Sequence, residues 1–294
     1  MFDGFDTGVV QRDGCDVFYR CKGQGPAVLL LHGFPQTHAM WANIAAKLAQ
    51  DYTVVCADLR GYGASAKPKE VAQYSFREMG ADQFHLMAKL GFESFHLMGH
   101  DRGGRTAHRM ALDAPERIDS LTVMDIVPTH LLLDDLSKEV ARVYYHWFFL
   151  AQPAPFPENL ILSDPDGFFQ NSLTGWGSSD LSHYEPEQLQ AYRASWRNSD
   201  CVRAMCNDYR AAIDYDFVLD AEDLGRKLSI PSLVMWGSDG AMAKAYDMAT
   251  VWSDLLSNFS IAMVRGGHFF PDTAPDETYQ ALKKFLLDVV SRQS

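Results

Sequence analysis

The chain has 294 residues, 47% of them hydrophobic and 22% charged, the balance of an ordinary globular protein. Twenty-six basic against 38 acidic residues give a net charge of −12 with no basic run, which argues against nucleic acid as a partner. No apolar run approaches the ~18 residues needed to span a bilayer, so no membrane partner is expected either.

The N-terminal "MFDGFDTGVVQRDG" lacks the basic and apolar regions of a signal peptide. Five cysteines, Cys15, Cys21, Cys56, Cys201 and Cys206, fall at no metal-ligand spacing, and an odd count suits a reducing compartment. The expectation is a soluble cytoplasmic protein without a metal.

Taken in chain order, "AVLLLHGF" (27–34) reads as a strand and "MWANIAAKLAQ" (40–50) as a helix. "YTVVCADL" (52–59) is the next strand, followed by a helical pattern in "REMGADQFHLMAKLG" (77–91). "SFHLMGHD" (94–101) and "SLTVMDIV" (120–127) continue the strands, and "PSLVMWGSD" (231–239) and "FSIAMVRGGH" (259–268) close the series. Runs apolar at nearly every position imply strands covered on both faces, hence a mostly parallel, doubly wound α/β sheet. The alternation stops near Pro128 and resumes near Pro231. Between them lies an aromatic-rich stretch that reads as helices and loops. The division is a core of 1–128 and 229–294 with a helical cap, 129–228, inserted between strands. Such a lobe would cover the carboxyl ends of the strands, where open α/β sheets bind ligands.

"HLMGHDRGGRTAH" (96–108) has the form of a strand-to-helix elbow that presents a nucleophile, with Asp101 at the exposed position. "LHGFP" ends an earlier strand at the position of an oxyanion loop, so the backbone N–H groups of Phe34 and Arg102 are the expected oxyanion hole. His32 is expected to order that loop, and His100 flanks the nucleophile. The base expected after the last strand is His268, in "RGGHFF". Two carboxylates at strand ends, Asp125 and Asp239, are open as its partner. A carboxylate nucleophile attacks saturated carbon and leaves an ester, whose carbonyl a histidine-activated water then attacks. Arg102 and Arg105 lie three residues apart on the helix after the elbow and share a face. A pair of guanidinium groups there suits a carboxylate ligand. Arg109 and Arg117 read as solvated helix arginines.

"LHGFPQTHAMW", "VVCADLRGYGASAKP", "GHDRGGRTAHRMALD", "YYHWFFLAQPAPFPE", "CNDYRA" and "GGHFF" together resemble fluoroacetate (haloacetate) dehalogenases of the α/β-hydrolase superfamily. The resemblance covers nearly the whole chain, cap included. It implies the α/β-hydrolase fold and hydrolysis of haloacetates to glycolate and halide through an aspartyl ester, without a cofactor. It also implies Asp101 as nucleophile, His268 as base and Asp125, rather than Asp239, as the orienting acid. By the same resemblance Arg102 and Arg105 clamp a small anionic haloacid. His146, Trp147 and Tyr209 form a halide pocket, Trp176 is a pocket wall, and a homodimer is expected. The alternative is an epoxide hydrolase of the same fold, which would polarise its substrate with cap tyrosines such as Tyr144, Tyr145 and Tyr209. A twin-arginine anion clamp is unhelpful for that neutral substrate.

Overall fold

The first two strands are ones that a search for wholly apolar runs passes over. Asp6–Arg12 (β1) and Cys15–Lys22 (β2) pair antiparallel, from Asp6 against Cys21 to Arg12 against Cys15. Asp13 and Gly14 between them both hold positive φ, 51° and 79°, the twist that an Asp-Gly pair supplies to a two-residue hairpin. β1 alternates between exposed and half-buried positions, so its signal is a period of two.

The structure, a computed structural model, describes residues 1–134, 136–175 and 180–293. The other strands are Ala27–Leu31 (β3), Thr53–Ala57 (β4), Phe95–His100 (β5), Ile118–Met124 (β6), Ser232–Gly237 (β7) and Phe259–Val264 (β8). They form one sheet in the order β1-β2-β4-β3-β5-β6-β7-β8, parallel from β4 to β8. Its centre is dry: every residue of β3 and β5 is buried, as expected for strands packed on both faces. Leu30 pairs with Met98, Met98 with Thr122, and Thr122 with Leu233 across the middle of the sheet. β8 departs from the expectation that each apolar run is covered twice. It is the edge strand, and Ile261 and Met263 face outward.

A 3₁₀ turn over His38–Trp41 precedes Ala42–Leu48 (α1), so the helix expected from residue 40 is shorter than its pattern. Phe76–Lys89 (α2) begins at Ser75, whose hydroxyl accepts from the Glu78 N–H at 3.3 Å and satisfies one of the free donors of the first turn. Arg102–Asp113 (α3) follows β5 directly. Between β6 and β7 the described residues form helices and turns with no strand. The helices are Thr129–Asp134 (α4), Lys138–Val143 (α5), Tyr145–Leu150 (α6), Phe156–Ser163 (α7), Pro165–Gly175 (α8), Pro186–Trp196 (α9), Ser199–Ala211 (α10) and Phe217–Glu222 (α11). Ala241–Ala245 (α12), Met248–Ser253 (α13), Phe270–Thr273 (α14) and Pro275–Gln293 (α15) complete the chain. No helix of the described residues is long and apolar enough to cross a membrane.

α10 is tied to the core by polar contacts. Arg203 donates to the carbonyls of Lys67 and Pro68, and Asn207 to that of Lys69. Arg109 is a correction to the sequence reading. It is buried rather than solvated, and its guanidinium meets Asp113 and Asp223, both at 2.7 Å. The acidic partner Asp223 lies more than a hundred residues away, beyond the reach of local pattern.

The start of α3 constrains its residue types most tightly. The Gly103 N–H donates to the His32 carbonyl at 2.9 Å, and a Cβ at Gly103 would collide with the backbone oxygens of Leu31 and His32. Gly103→Ala should therefore cost roughly 1–3 kcal/mol of stability by overpacking, read as a lower urea midpoint at unchanged slope. An unaltered midpoint would mean that α3 can shift away from β3 freely.

Candidate active site

Asp101 stands at the turn between β5 and α3 with φ 50° and ψ −115°, a strained conformation for a residue with a side chain. The strain lifts the carboxylate above the carboxyl ends of the central strands. Its Oδ1 accepts from the Phe34 N–H at 2.8 Å, and its Oδ2 lies 3.8 Å from His268 Nε2. The group is buried, which alone would raise its pKa. His268, His100, Arg102 and the Phe34 N–H outweigh that and hold it below the ordinary value. Asp101 is therefore an ionised carboxylate with one oxygen tethered and the other facing the His268 imidazole.

His268 comes from the loop after β8. Its Nδ1 lies 2.6 Å from Asp125 Oδ2, while Asp125 Oδ1 accepts from the Gly237 N–H at 3.1 Å. Asp239 is exposed, and its backbone carbonyl accepts from Lys244. Of the two candidate acids, Asp125 is thus the one facing the imidazole. Burial would lower the pKa of His268, but the hydrogen bond and charge of Asp125, then the charge of Asp101, raise it above the usual value. His32 bridges the Gly33 carbonyl at 3.0 Å and the Leu59 N–H at 3.0 Å, holding the loop that carries Phe34. Burial lowers His32 and His100 to about 4, so both are neutral near pH 7.

Arg102 and Arg105 are both buried, but they differ in their partners. Arg102 Nε donates to Asp208 Oδ2 at 3.0 Å and Nη2 to Asp208 Oδ1 at 2.5 Å; its Nη1 is buried with no partner among the described residues. Arg105 donates from Nη1 to the Val127 carbonyl at 2.8 Å and to Thr129 Oγ1 at 3.1 Å, and its Nε has no partner. Among the described residues those hydrogen-bond partners are neutral, and carboxylates act on its charge only from a distance, as Asp101 and Asp220 do. Burial, then Arg102, lowers the Arg105 pKa.

The aromatic residues expected around the halide come together. Trp147 and Tyr209 meet edge to face at 5.2 Å, and His146 lies 5.6 Å from Tyr209 and stacks on Phe34 at 6.1 Å. Tyr209 Oη and Trp147 Nε1 are buried donors with no partner among the described residues. Burial, then the charge of Asp101, pushes the Tyr209 phenol well up, so it keeps its proton, and burial lowers His146 to about 3, so its ring is neutral. A narrow cavity of about 10 Å³ is lined by Asp101, Asp125, Val143, Tyr144, His146, Ala241 and His268. Trp176, the expected pocket wall, lies outside the described residues. Among the described residues no group of three histidine, cysteine or carboxylate side chains could hold a metal ion.

Two parts of the surroundings carried no sequence signal. Tyr62 donates to Asp208 Oδ2 at 2.6 Å, so the partner of Arg102 is itself held from the loop after β4. Asp272 is buried on α14, accepts from Tyr192 of α9 at 2.8 Å, and accepts from Gln36 beside the Phe34 loop. Nothing local marks either carboxylate; only the neighbour of Asp208, Tyr209, stood out.

The alpha/beta hydrolase fold model matches residues 26–275. Fluoroacetate dehalogenase of Burkholderia sp is 51% identical over 99% of this chain and 97% of that protein. Soluble epoxide hydrolase of Corynebacterium sp. (strain C12) is 28% identical, over 93% of this chain and 94% of that one. Among solved structures, an alpha/beta hydrolase from Nostoc sp PCC 7120 superposes with a TM-score of 0.95 at 42% identity, covering 97% of this chain and 99% of that one.

Asp272 gives a test of the site's acid–base balance. Burial pushes its carboxyl up to about 7, against lowering hydrogen bonds from Tyr192 and Gln36. In the unfolded chain the same group loses its proton near ~3.9. The native state thus holds a proton that the unfolded state has released, a contribution fully present below about 4 and lost as pH rises through about 7. Urea unfolding of wild type and Asp272→Asn, compared from about pH 5 to about pH 8, should show wild type losing stability relative to the variant. A constant difference across that range would mean that Asp272 is ionised throughout.

Proposed function

The chain belongs to the fluoroacetate dehalogenase family of the α/β hydrolases, enzymes acting on carbon–halide bonds, and from that premise we propose that it hydrolyses haloacetates to glycolate and halide by way of an ester on Asp101. The observation that supports this reading most is Arg105: a buried guanidinium without a carboxylate partner, in the same site as an ionised carboxylate. An unpaired buried charge is costly, and an anionic substrate would remove that cost while a neutral epoxide would not.

In the proposed reaction Arg105 and Arg102 Nη1 take the substrate carboxylate. Asp101 Oδ2 attacks the halogen-bearing carbon, and halide leaves towards Trp147, Tyr209 and His146. Each hydrogen bond to a charged group contributes roughly 1.5–3 kcal/mol, so three such donors would speed departure of a poor leaving group by decades. The ester then carries its carbonyl on Oδ1, already beside the Phe34 N–H, with the Arg102 N–H as second donor. His268 takes a proton from water, which attacks Cγ of Asp101; Asp125 fixes the imidazole and stabilises its charged form. Glycolate leaves with Oδ2, its oxygen taking the proton from the His268 imidazolium, and Asp101 keeps the oxygen from water and releases the remaining proton.

The test is the covalent step. His268→Ala should release at most about one equivalent of halide per site and gain a carboxymethyl group on Asp101 by mass spectrometry. Wild type in a single turnover in ¹⁸O-water should carry the label in Asp101. Label appearing first in glycolate would replace the ester mechanism with general-base catalysis.

The donors from α6 and α10 should discriminate between halogens. Fluoride concentrates its charge and needs hydrogen bonds more than bromide does. Tyr209→Phe should therefore lower kcat by roughly tenfold or more on fluoroacetate and by much less on bromoacetate. Equal losses on the two substrates would reduce Tyr209 to packing.

A further inference from the structure

Arg102 is held by a group that the proposed chemistry never uses. Asp208 is fully buried on α10, and both of its oxygens accept: Oδ1 from Arg102 Nη2, and Oδ2 from Arg102 Nε at 3.0 Å and Tyr62 Oη at 2.6 Å. The Asp208 backbone carbonyl takes a further bond from Nη2 at 3.0 Å. A guanidinium has five N–H groups. Three of them, on Nε and Nη2, are spent on this one residue, and only those of Nη1 remain. The rings of Tyr209, Phe76 and Trp147 lie over the guanidinium, at 4.3, 4.6 and 4.8 Å from their centroids, so it cannot tilt without displacing them.

We propose that Asp208, braced by Tyr62, is a positioning residue: it fixes Arg102 so that Nη1 alone meets the substrate carboxylate, and it keeps Arg102 from pairing with the nucleophile. This rests on the haloacetate reading above. Two further carboxylates feel the charge of Arg102, namely Asp101 and Asp216. Without Asp208 the guanidinium would turn to one of them. Pairing with Asp101 would tie up the attacking oxygen; pairing with Asp216 would take Nη1 out of the site. Asp208 also offsets the charge of Arg102 locally. The net positive charge facing the substrate is then that of Arg105, and Arg102 contributes direction rather than net attraction.

The experiment is a double-mutant cycle on fluoroacetate hydrolysis with Asp208→Asn, Arg102→Met and the pair together. Asp208→Asn should lower kcat/KM roughly tenfold to a hundredfold in the wild-type background, as expected of a misplaced binding group. In the Arg102→Met background the same change should cost less than about threefold, because no guanidinium is left to position. A purely structural role in docking α10 would instead give equal losses in both backgrounds, which would overturn the proposal. So would unchanged kinetics in Asp208→Asn. Where Asp208→Asn does not fold by circular dichroism, Tyr62→Phe replaces it in the same cycle, with a smaller loss that must again vanish in Arg102→Met.

Acetate supplies a readout that needs no turnover: its dissociation constant, followed by quenching of tryptophan fluorescence, should show the same coupling. If wild type releases no halide yet acetate binding shows the coupling, the reaction proposed above falls and the role of Asp208 stands. If acetate binding shows no coupling in an active enzyme, the role of Asp208 falls and the reaction stands. No acetate binding and no halide release would overturn both.

Discussion

An ionised carboxylate buried at the end of a dry sheet is costly, and most of the molecule around Asp101 offsets that cost. The Phe34 N–H comes from the loop after β3, His268 from the loop after β8, and Arg102 from the first turn of α3. These groups are far apart in sequence and meet only because β3 and β5 are neighbours and β8 lies on the same side of β5 as β6. The parallel strands β3 to β8 bring their carboxyl ends to one edge. The positive φ of Asp101 then turns its side chain into that ring of donors instead of into either face of the sheet.

The helices between β6 and β7 answer the same electrostatic problem from the other side. Among them, α10 supplies Asp208, which neutralises Arg102, and Tyr209, which keeps its proton; α6 supplies Trp147 and His146, both uncharged as donors. With Arg102 paired, Arg105 is left as the guanidinium of the site with no hydrogen-bonded carboxylate, beside Asp101 and the Asp125–His268 pair. In the proposed reaction a monoanionic substrate would bring its charge against Arg105 and its reacting carbon against Asp101.

The sequence was legible where function is local. The elbow, the Phe34 loop, His268 and the strands of the sheet centre each carry their signal within about ten residues. β1 and β2 escaped because their half-exposed faces alternate and never form an apolar run. The choice between Asp125 and Asp239 could not be made from strand ends alone, since both follow strands; what separates them is that β6 lies beside β5 and points Asp125 at the imidazole. Tyr62, Asp208 and Asp272 are ordinary residues in sequence, distinguished only by partners more than seventy residues away. Arg109 failed for the same reason: a charge read as solvated is buried when its counter-charges arrive from a distant helix.

The acid–base behaviour of His268 follows from the same coupling of distant charges. Its pKa is raised by Asp125 and, after that, by the charge of Asp101. In the proposed cycle the ester on Asp101 is neutral, so the second of these influences disappears when the halide has left. The imidazole then becomes easier to keep in its neutral form at the step where it must accept a proton from water. Asp125, untouched by the chemistry, still stabilises the imidazolium as the proton arrives. When glycolate departs, the charge of Asp101 returns and His268 is again held at the higher value. One carboxylate would thus serve in both half-reactions, as the nucleophile while charged and, once esterified, by ceasing to oppose the base beside it.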